Sequence, residues 1–216
     1  MVSEASLHPR TPQPTARLEP KEIDVPASAP PLYQLKITLD DIRPPVWRLL
    51  LVPADVKLSD LHEIIQAAFD WGDYHLHVFT SDGVDYGVPS PDDWQPVRDE
   101  RRARLKDLLK RPRDRMTYVY DFGDSWEHRI VLEKVLPADP AQTVPTCLGG
   151  KRACPPEDCG GAWGYAEFLR SIADPAHEQH DEYLEWVGGA FDPEEFSREV
   201  VNISLGAIRR KPRARA

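Results

Sequence analysis

The chain has 216 residues, of which 27 are Lys or Arg and 36 are Asp or Glu, so its formal charge is −9. This length suits one compact domain or two small ones. The longest uninterrupted aliphatic stretch covers residues 49–52, whereas a membrane helix needs about 20 apolar residues. We therefore expect no membrane span and, because residues 1–30 lack an apolar signal segment, a cytoplasmic protein. Three cysteines in a reducing compartment predict no disulfide.

The two ends of the chain differ in composition from its middle. Residues 1–31 contain seven prolines and few large apolar side chains, so they cannot bury enough surface to offset the entropy of ordering. We predict a disordered proline-rich arm over 1–31 and a disordered basic tail over 209–216. The remaining segment, 32–208, carries a formal charge of −13 and is predicted to form a single acidic domain.

The first part of this domain alternates between strand and helix patterns. Apolar residues recur at every second position in the predicted strands and at helical spacing in the predicted helix, with Ser59 placed to cap it. Asp82-Gly83 is a hairpin turn signal. The order resembles a β-grasp opening, although other sheet orders fit equally. The segments are strand 33–39, strand 46–52, helix 60–69, strand 74–80 and strand 84–88.

The second part adds a hairpin and several helices. Asp174 and Asp192 each precede a proline, a combination that is typical of a helix start. Together the patterns predict an α+β fold, with a mixed or antiparallel sheet and helices at its C-terminal side. The segments are helix 98–110, the hairpin strands 116–120 and 126–135, and helices 163–172, 175–187 and 193–205.

Three strings of residues resemble the plasmid pRiA4b ORF-3-like family. The first is Y-D-F-G-D-S-W-E-H at 120–128, and the second is C-P-P-E-D-C-G-G at 154–161, which follows Cys147. The third combines Glu185-Trp186 with F-D-P at 191–193. The resemblance covers residues 33–205 and implies an α+β fold and an association with plasmids and transposable elements. It implies no particular reaction.

The cysteines form the sharpest candidate site. Zinc takes four soft or borderline ligands, and the prolines and glycines between Cys147, Cys154 and Cys159 favour an irregular loop that could fold around an ion. A fourth ligand would be a histidine, with His128 preferred to His180. The alternative is that the three thiols only pack in a turn. We therefore predict that the cysteine sulfurs converge and that zinc is the possible cofactor.

Two further groups could form a polar site. His75 and His77 alternate along a predicted strand and could share a metal or a phosphate, unless they are merely a partly exposed pair. Asp121, Asp124, Glu127 and His128 surround one hairpin turn and could bind a cation or act as acid and base. The simpler interpretation is that Asp and Gly only build that turn.

The segment 98–115 contains nine basic residues against four acidic ones. Arg101, Arg102 and Arg104 could therefore contact phosphates, or could neutralise the acidic helices of the same fold. The acidic body argues against general binding of nucleic acid. The leading functional hypothesis is a non-catalytic module that binds a protein or nucleic-acid partner. The alternative is a metal-dependent enzyme, hydrolase-like, that uses the Cys/His region or Asp121, Asp124 and His128.

Overall fold

The computed structural model describes residues 29–91 and 95–210, and its α+β class is the predicted one. None of the helices in this part of the chain is long and apolar enough to cross a membrane. The strands are β1 Leu32–Leu39, β2 Trp47–Pro53, β3 His77–Ser81, β4 Val84–Gly87, β5 Arg98–Asp99, β6 Arg115–Tyr120, β7 Trp126–Leu136 and β8 Thr146–Lys151. The helices are α1 Leu58–Phe69, α2 Leu105–Leu108, α3 Gly161–Ala173, α4 His180–Trp186 and α5 Arg198–Arg210.

The described strands form one sheet in the order β5-β4-β3-β6-β7-β1-β2-β8. β4 and β5 are parallel, and the other neighbouring pairs are antiparallel. The order β1, β2, α1, β3, β4 follows the predicted series. The grasp-like arrangement is not confirmed, because β6 and β7 lie between the two opening hairpins.

The core lies where one face of this sheet packs on α1. Leu35, Ile37 and Leu39 of β1 are completely buried, as the alternation in β1 predicts. α1 buries Leu58, Leu61 and the other apolar residues of one face. The predicted cap is wrong, since α1 begins before Ser59 and follows Lys57 without a side-chain cap.

The predicted helix 98–110 is also wrong. This segment contains β5, a turn and the single-turn helix α2. The backbone N–H groups of Leu105 and Lys106 donate to the carbonyls of Val56 and Ala54, which precede α1. Tertiary hydrogen bonds therefore outweigh the helical spacing of the apolar residues.

The glycines around residues 149–150 predicted an irregular segment, but these residues lie in the edge strand β8. β8 pairs with β2, and this pairing places Cys147 opposite Leu50. Only glycine fits at Gly150, because the Cβ atom of any other residue would lie 2.5 Å from the Phe196 ring. The glycine therefore allows close packing against the strand and does not mark a loop.

The C-terminal helices differ in their starts. α3 matches its prediction, but α4 and α5 begin five residues later than predicted. Asp174 and Asp192 accept hydrogen bonds from the backbone of Ala176 and Glu194 and so form turns before these helices. α5 continues through Arg210, two residues into the predicted tail. Most of the predicted arm, residues 1–28, and the rest of the tail, 211–216, lie outside the described residues.

Candidate functional site

Three segments meet at one end of the sheet, and we call this place the junction: residues 71–76, 121–125 and 154–161. The first segment leads into β3, the second is the turn between β6 and β7, and the third connects β8 to α3. The backbone N–H of Asp121 donates to the carbonyl of Leu76 at 2.9 Å. This bond continues the pairing of His77 with Tyr120 and brings the first two segments together.

Glu157 attaches the third segment to the first. Its Oε1 accepts a hydrogen bond from the Tyr120 hydroxyl at 2.6 Å, and its Oε2 accepts one from the Gly72 N–H at 2.8 Å. The Trp71 indole donates to the Pro155 carbonyl at 2.9 Å. Burial, and then Glu157, raise the pKa of Tyr120, so this hydroxyl remains a proton donor.

Asp124 attaches the third segment to the second. Its Oδ2 accepts a hydrogen bond from the Gly160 N–H at 3.0 Å. Gly161 has a positive φ of 67°, and a Cβ atom there would lie only 2.3 Å from the Asp124 carbonyl oxygen. Only glycine allows this close approach. The start of α3 is therefore held against the β6–β7 turn.

His75, Asp121 and Asp158 form a cluster in the junction. His75 Nε2 lies 3.0 Å from Asp158 Oδ1 and 3.6 Å from Asp121 Oδ2. This nitrogen is shielded from solvent and makes no hydrogen bond of acceptable geometry with any described residue. Asp121 is buried and its Oδ1 accepts from the Gly123 N–H, whereas the Asp158 side chain is 67% exposed. One potential ligand atom from each residue lies within 4.8 Å of the other two.

A second cluster lies around the histidines His62 and His77, the latter two residues after His75. His62 donates from Nε2 to Asp73 at 2.8 Å and accepts at Nδ1 from the Tyr118 hydroxyl at 2.7 Å. His77 donates from Nε2 to Glu100 at 2.8 Å. Burial, and then the neighbouring His77, lower the pKa of His62. This cluster is a closed hydrogen-bonded network, with a separate carboxylate for each ring.

The structure places His75 and His77 in two different clusters. Each ring has its own carboxylate partners, His75 with Asp121 and Asp158, and His77 with Glu100. Asp121, which was predicted to belong to a polar site, lies beside His75 and Asp158. Asp124 serves to hold the Gly160 backbone, and the exposed Glu127 lies on the opposite face of β7 from the buried His128.

The three cysteines do not come together in one ligand group as predicted, within the residues that the structure describes. Among the described residues, the groups of three potential ligands within 4.8 Å contain no cysteine. Cys147 lies in β8 and donates to the Gly149 carbonyl, while Cys154 Sγ accepts from Arg48 at 2.9 Å. Burial raises the pKa of Cys154 and of Cys159 to about 12. Cys147 thus lies in an edge strand, whereas Cys154 and Cys159 lie in the loop between β8 and α3.

The histidines proposed as the fourth zinc ligand have other roles. His128 is fully buried, donates from Nδ1 to the Trp126 carbonyl at 3.0 Å and packs edge-on against Phe69 and Trp71. Burial lowers its pKa to about 4, so the ring is neutral. His180 donates to the Ser171 carbonyl at 2.9 Å and joins α4 to α3. Neither belongs to a candidate ligand group in the described chain.

The arginines proposed for phosphate contact do not share a helix face. Arg101 is paired with Asp99, and Arg104 donates to the Asp55 carbonyl at 2.7 Å. The Arg102 side chain is almost fully exposed. Arg101 and Arg102 are accessible to a phosphate, whereas Arg104 holds the loop before α1.

The sequence analysis did not identify several residues of the junction and of the two clusters. His62 occupies the apolar face of α1 with Leu58 and Leu61, and a polar residue at such a position is a usable signal. Glu157 and Asp158 lie inside the C-P-P-E-D-C-G-G string, but nothing local indicates that Glu157 meets Tyr120, 37 positions earlier, or that Asp158 meets His75. These contacts arise only from the folded topology.

Comparisons with known proteins agree with this fold. The sequence profile described as "Plasmid pRiA4b ORF-3-like protein" matches residues 31–200. The uncharacterized protein y4hQ of Sinorhizobium fredii is 43% identical over 161 residues, which cover 74% of this chain and 82% of that protein. A crystal structure from Methanosarcina mazei Go1, of the protein of unknown function MM3350, is similar with a TM-score of 0.72 and 38% identity, over 78% of this chain and 96% of the other. The chain therefore belongs to the plasmid pRiA4b ORF-3-like protein family.

Proposed function

We propose that this protein is a binding module that engages a partner protein through the junction. The observation that carries the proposal is a set of four apolar side chains, each between 56% and 80% exposed. Three of them lie in the junction segments and the fourth lies two residues after the third segment, and we call this set the rim. Exposed aromatic side chains of this kind are enriched in protein interfaces. The rim consists of Tyr74, Leu76, Phe122 and Trp163.

The charge of the junction indicates the partner's chemistry. Its three segments contain five carboxylates and neither Lys nor Arg. A phosphate backbone would be repelled by this field, whereas Lys and Arg beside apolar side chains would complement both the carboxylates and the rim. We therefore assign a cationic and partly apolar protein segment as the partner. The carboxylates are Asp73, Asp121, Asp124, Glu157 and Asp158.

The junction is held in place before any partner binds. The hydrogen bonds of Glu157 and Asp124 connect its segments. A surface that is already ordered loses little conformational entropy on association. The rim can therefore contribute its apolar area to affinity directly.

The test is selection of peptides from a random displayed library on the full chain, followed by calorimetry. Enriched peptides should combine Lys or Arg with apolar residues. Phe122→Ser and Trp163→Ser should each weaken binding of a selected peptide by at least about tenfold, as interface hot spots do. The control is Ile203→Ser, because Ile203 is 70% exposed on α5. Acidic peptides, or equal affinity in the rim and control variants, would contradict the proposal.

A nucleic-acid partner is the competing outcome of the same experiment. Duplex and single-stranded DNA are titrated in parallel at several salt concentrations. Binding that is tighter than that of the peptides and that weakens in Arg101→Glu/Arg102→Glu would favour phosphate contacts at these arginines. We also propose that the module acts in the cytoplasm and belongs among mobile-element proteins. The word plasmid in the family description supports the second of these assignments.

A metal-dependent enzyme is the second candidate. It is favoured by His75, Asp121 and Asp158, because three protein ligands leave positions for water and substrate. Its test is turnover of p-nitrophenyl phosphate and p-nitrophenyl acetate with Zn²⁺ or Mn²⁺, compared between the wild type and Asp121→Asn. Rates at the uncatalysed background in both proteins would leave the binding module as the function.

A further inference from the structure

We infer that His75, Asp121 and Asp158 bind one divalent transition-metal ion of the zinc or manganese type. This inference goes beyond the proposed binding module, since a partner could bind the rim without any ion. It differs from the predicted cysteine centre in every ligand.

The spacing of the three side chains suits coordination. Ligands about 2.1 Å from one ion are separated by about 3.0 Å at octahedral angles and by about 3.4 Å at tetrahedral angles. His75 Nε2 lies 3.0 Å from Asp158 Oδ1 and 3.6 Å from Asp121 Oδ2. All three ligand atoms lie within 4.8 Å of one another, so side-chain rotation can bring them to one ion.

The unsatisfied nitrogen of His75 points to a ligand. Nε2 is shielded from solvent and has no hydrogen-bond partner of good geometry within the described part of the chain, although two carboxylate oxygens are near it. Buried polar atoms in folded proteins are nearly always partnered. An ion between the nitrogen and the two oxygens would satisfy all three atoms together.

The surroundings orient the ligands and leave room for the ion. The Gly123 N–H holds Asp121 Oδ1 and so directs Oδ2 towards His75, as supporting hydrogen bonds do in metal sites. The exposed Asp158 gives the ion a path from solvent. One imidazole with two carboxylates favours zinc or manganese over calcium and magnesium, which prefer oxygen ligands alone.

The other histidine cluster does not offer an equivalent site. His62, Asp73 and His77 are also within ligand distance of one another, but the two rings are parallel, 3.5 Å apart and inclined by only 7°. An imidazole binds a metal in the plane of its ring, and two stacked parallel rings have no common in-plane point. The assignment therefore falls on the junction cluster.

The experiment is calorimetric titration of the full chain with Zn²⁺ and with Mn²⁺, after treatment with a chelator and without any partner. The wild type should bind one ion per chain. His75→Ala and Asp158→Asn should each weaken binding by at least about tenfold, the smallest loss that outer-shell substitutions typically cause. Because Asp158 is exposed, Asp158→Asn should keep the fold, which circular dichroism verifies.

The matched control is His177→Ala. The side chain of His177 is 27% exposed, close to the 29% of His75, and faces a single carboxylate, Glu167, at 3.4 Å. This variant should bind the ion like the wild type. Absence of binding in the wild type, or equal affinity in Asp158→Asn and His177→Ala, would overturn the inference. Peptide binding measured with chelator present tests the binding module separately.

Discussion

The imidazole rings of His62 and His77 stack face to face, with centroids 3.5 Å apart and planes inclined by 7°. Each ring donates to its own carboxylate, Asp73 or Glu100. Asp73 lies in the junction segment 71–76, whereas Glu100 follows β5. The stacked pair therefore joins the junction, through α1 and β3, to the residue that follows the edge strand β5.

We expect His77→Leu to lower the free energy of unfolding by about 3 kcal/mol, because Glu100 is 4% exposed and would lose its hydrogen-bond donor. The double variant His77→Leu/Glu100→Gln removes the buried charge as well and should regain part of this loss. Urea unfolding of the single and double variants measures the difference. A double variant no more stable than His77→Leu would show that the Glu100 charge is not the cause.

Acid should destabilise the protein through His128. Its folded pKa is about 4, whereas an unfolded histidine has a pKa of about 6.5. The unfolded state therefore binds more protons between these values, and the free energy of unfolding falls as the pH falls. We expect His128 to contribute about 2 kcal/mol of this loss between pH 7 and pH 5. The slope should be smaller in His128→Gln across the same pH series, and an unchanged slope would exclude His128 as the titrating group.

Arg48 should be essential for stability, although it forms no ion pair with any residue that the structure describes. It is buried, packs over the rings of Phe69 and Phe196, and its hydrogen-bond acceptors are uncharged. We expect Arg48→Met to cost about 3 kcal/mol, because buried acceptors would lose their donor, while Arg102→Met at an exposed position should cost less than about 0.5 kcal/mol. Chemical unfolding compares the two, and similar costs would contradict this role. The acceptors are the carbonyls of Trp47, Ala68, Lys151 and Arg152, and Cys154 Sγ.

A comparison of Gly161→Ala with Gly188→Ala should separate the cost of steric conflict from the cost of backbone strain. A Cβ atom at Gly161 would collide with the Asp124 carbonyl, whereas Gly188 has a similar positive φ of 84° and open space. Both alanine variants carry the strain of a left-handed residue, but Gly161→Ala should be destabilised by about 1–3 kcal/mol more. Thermal unfolding of both variants provides the comparison. Equal losses would mean that the approach of α3 to the turn 121–125 is not tight.

The strands and the junction differ in how far the sequence predicts them. The alternation in β1 and the apolar spacing in α1 are local, so their positions follow from neighbouring residues. The arginine-rich segment has helical spacing too, yet Leu105 and Lys106 bond to the chain before α1. No local pattern contains that information.

The junction depends even more on distant residues. The hairpin turn indicated a polar site near Asp121, and the strand pattern indicated a role for His75 in a polar site. The meeting of His75 with Asp158 depends on Glu157 binding Tyr120 and on Gly161 approaching Asp124. The prediction for the cysteines failed for the same reason. Cys147 lies in β8 and pairs with Leu50 of β2, a strand about 100 residues earlier in the chain.

The position of β1 between β2 and β7 has a consequence for synthesis of the chain. β1 is made first, but its β7 partners, from His128 to Leu136, follow roughly 90–100 residues later. At 5–20 residues per second, a ribosome needs about 5–20 s to supply them. During that interval the apolar β1–β2 hairpin has an open edge, and pairings of such high contact order form slowly. The nascent chain is thus expected to be most prone to aggregation before β7 emerges.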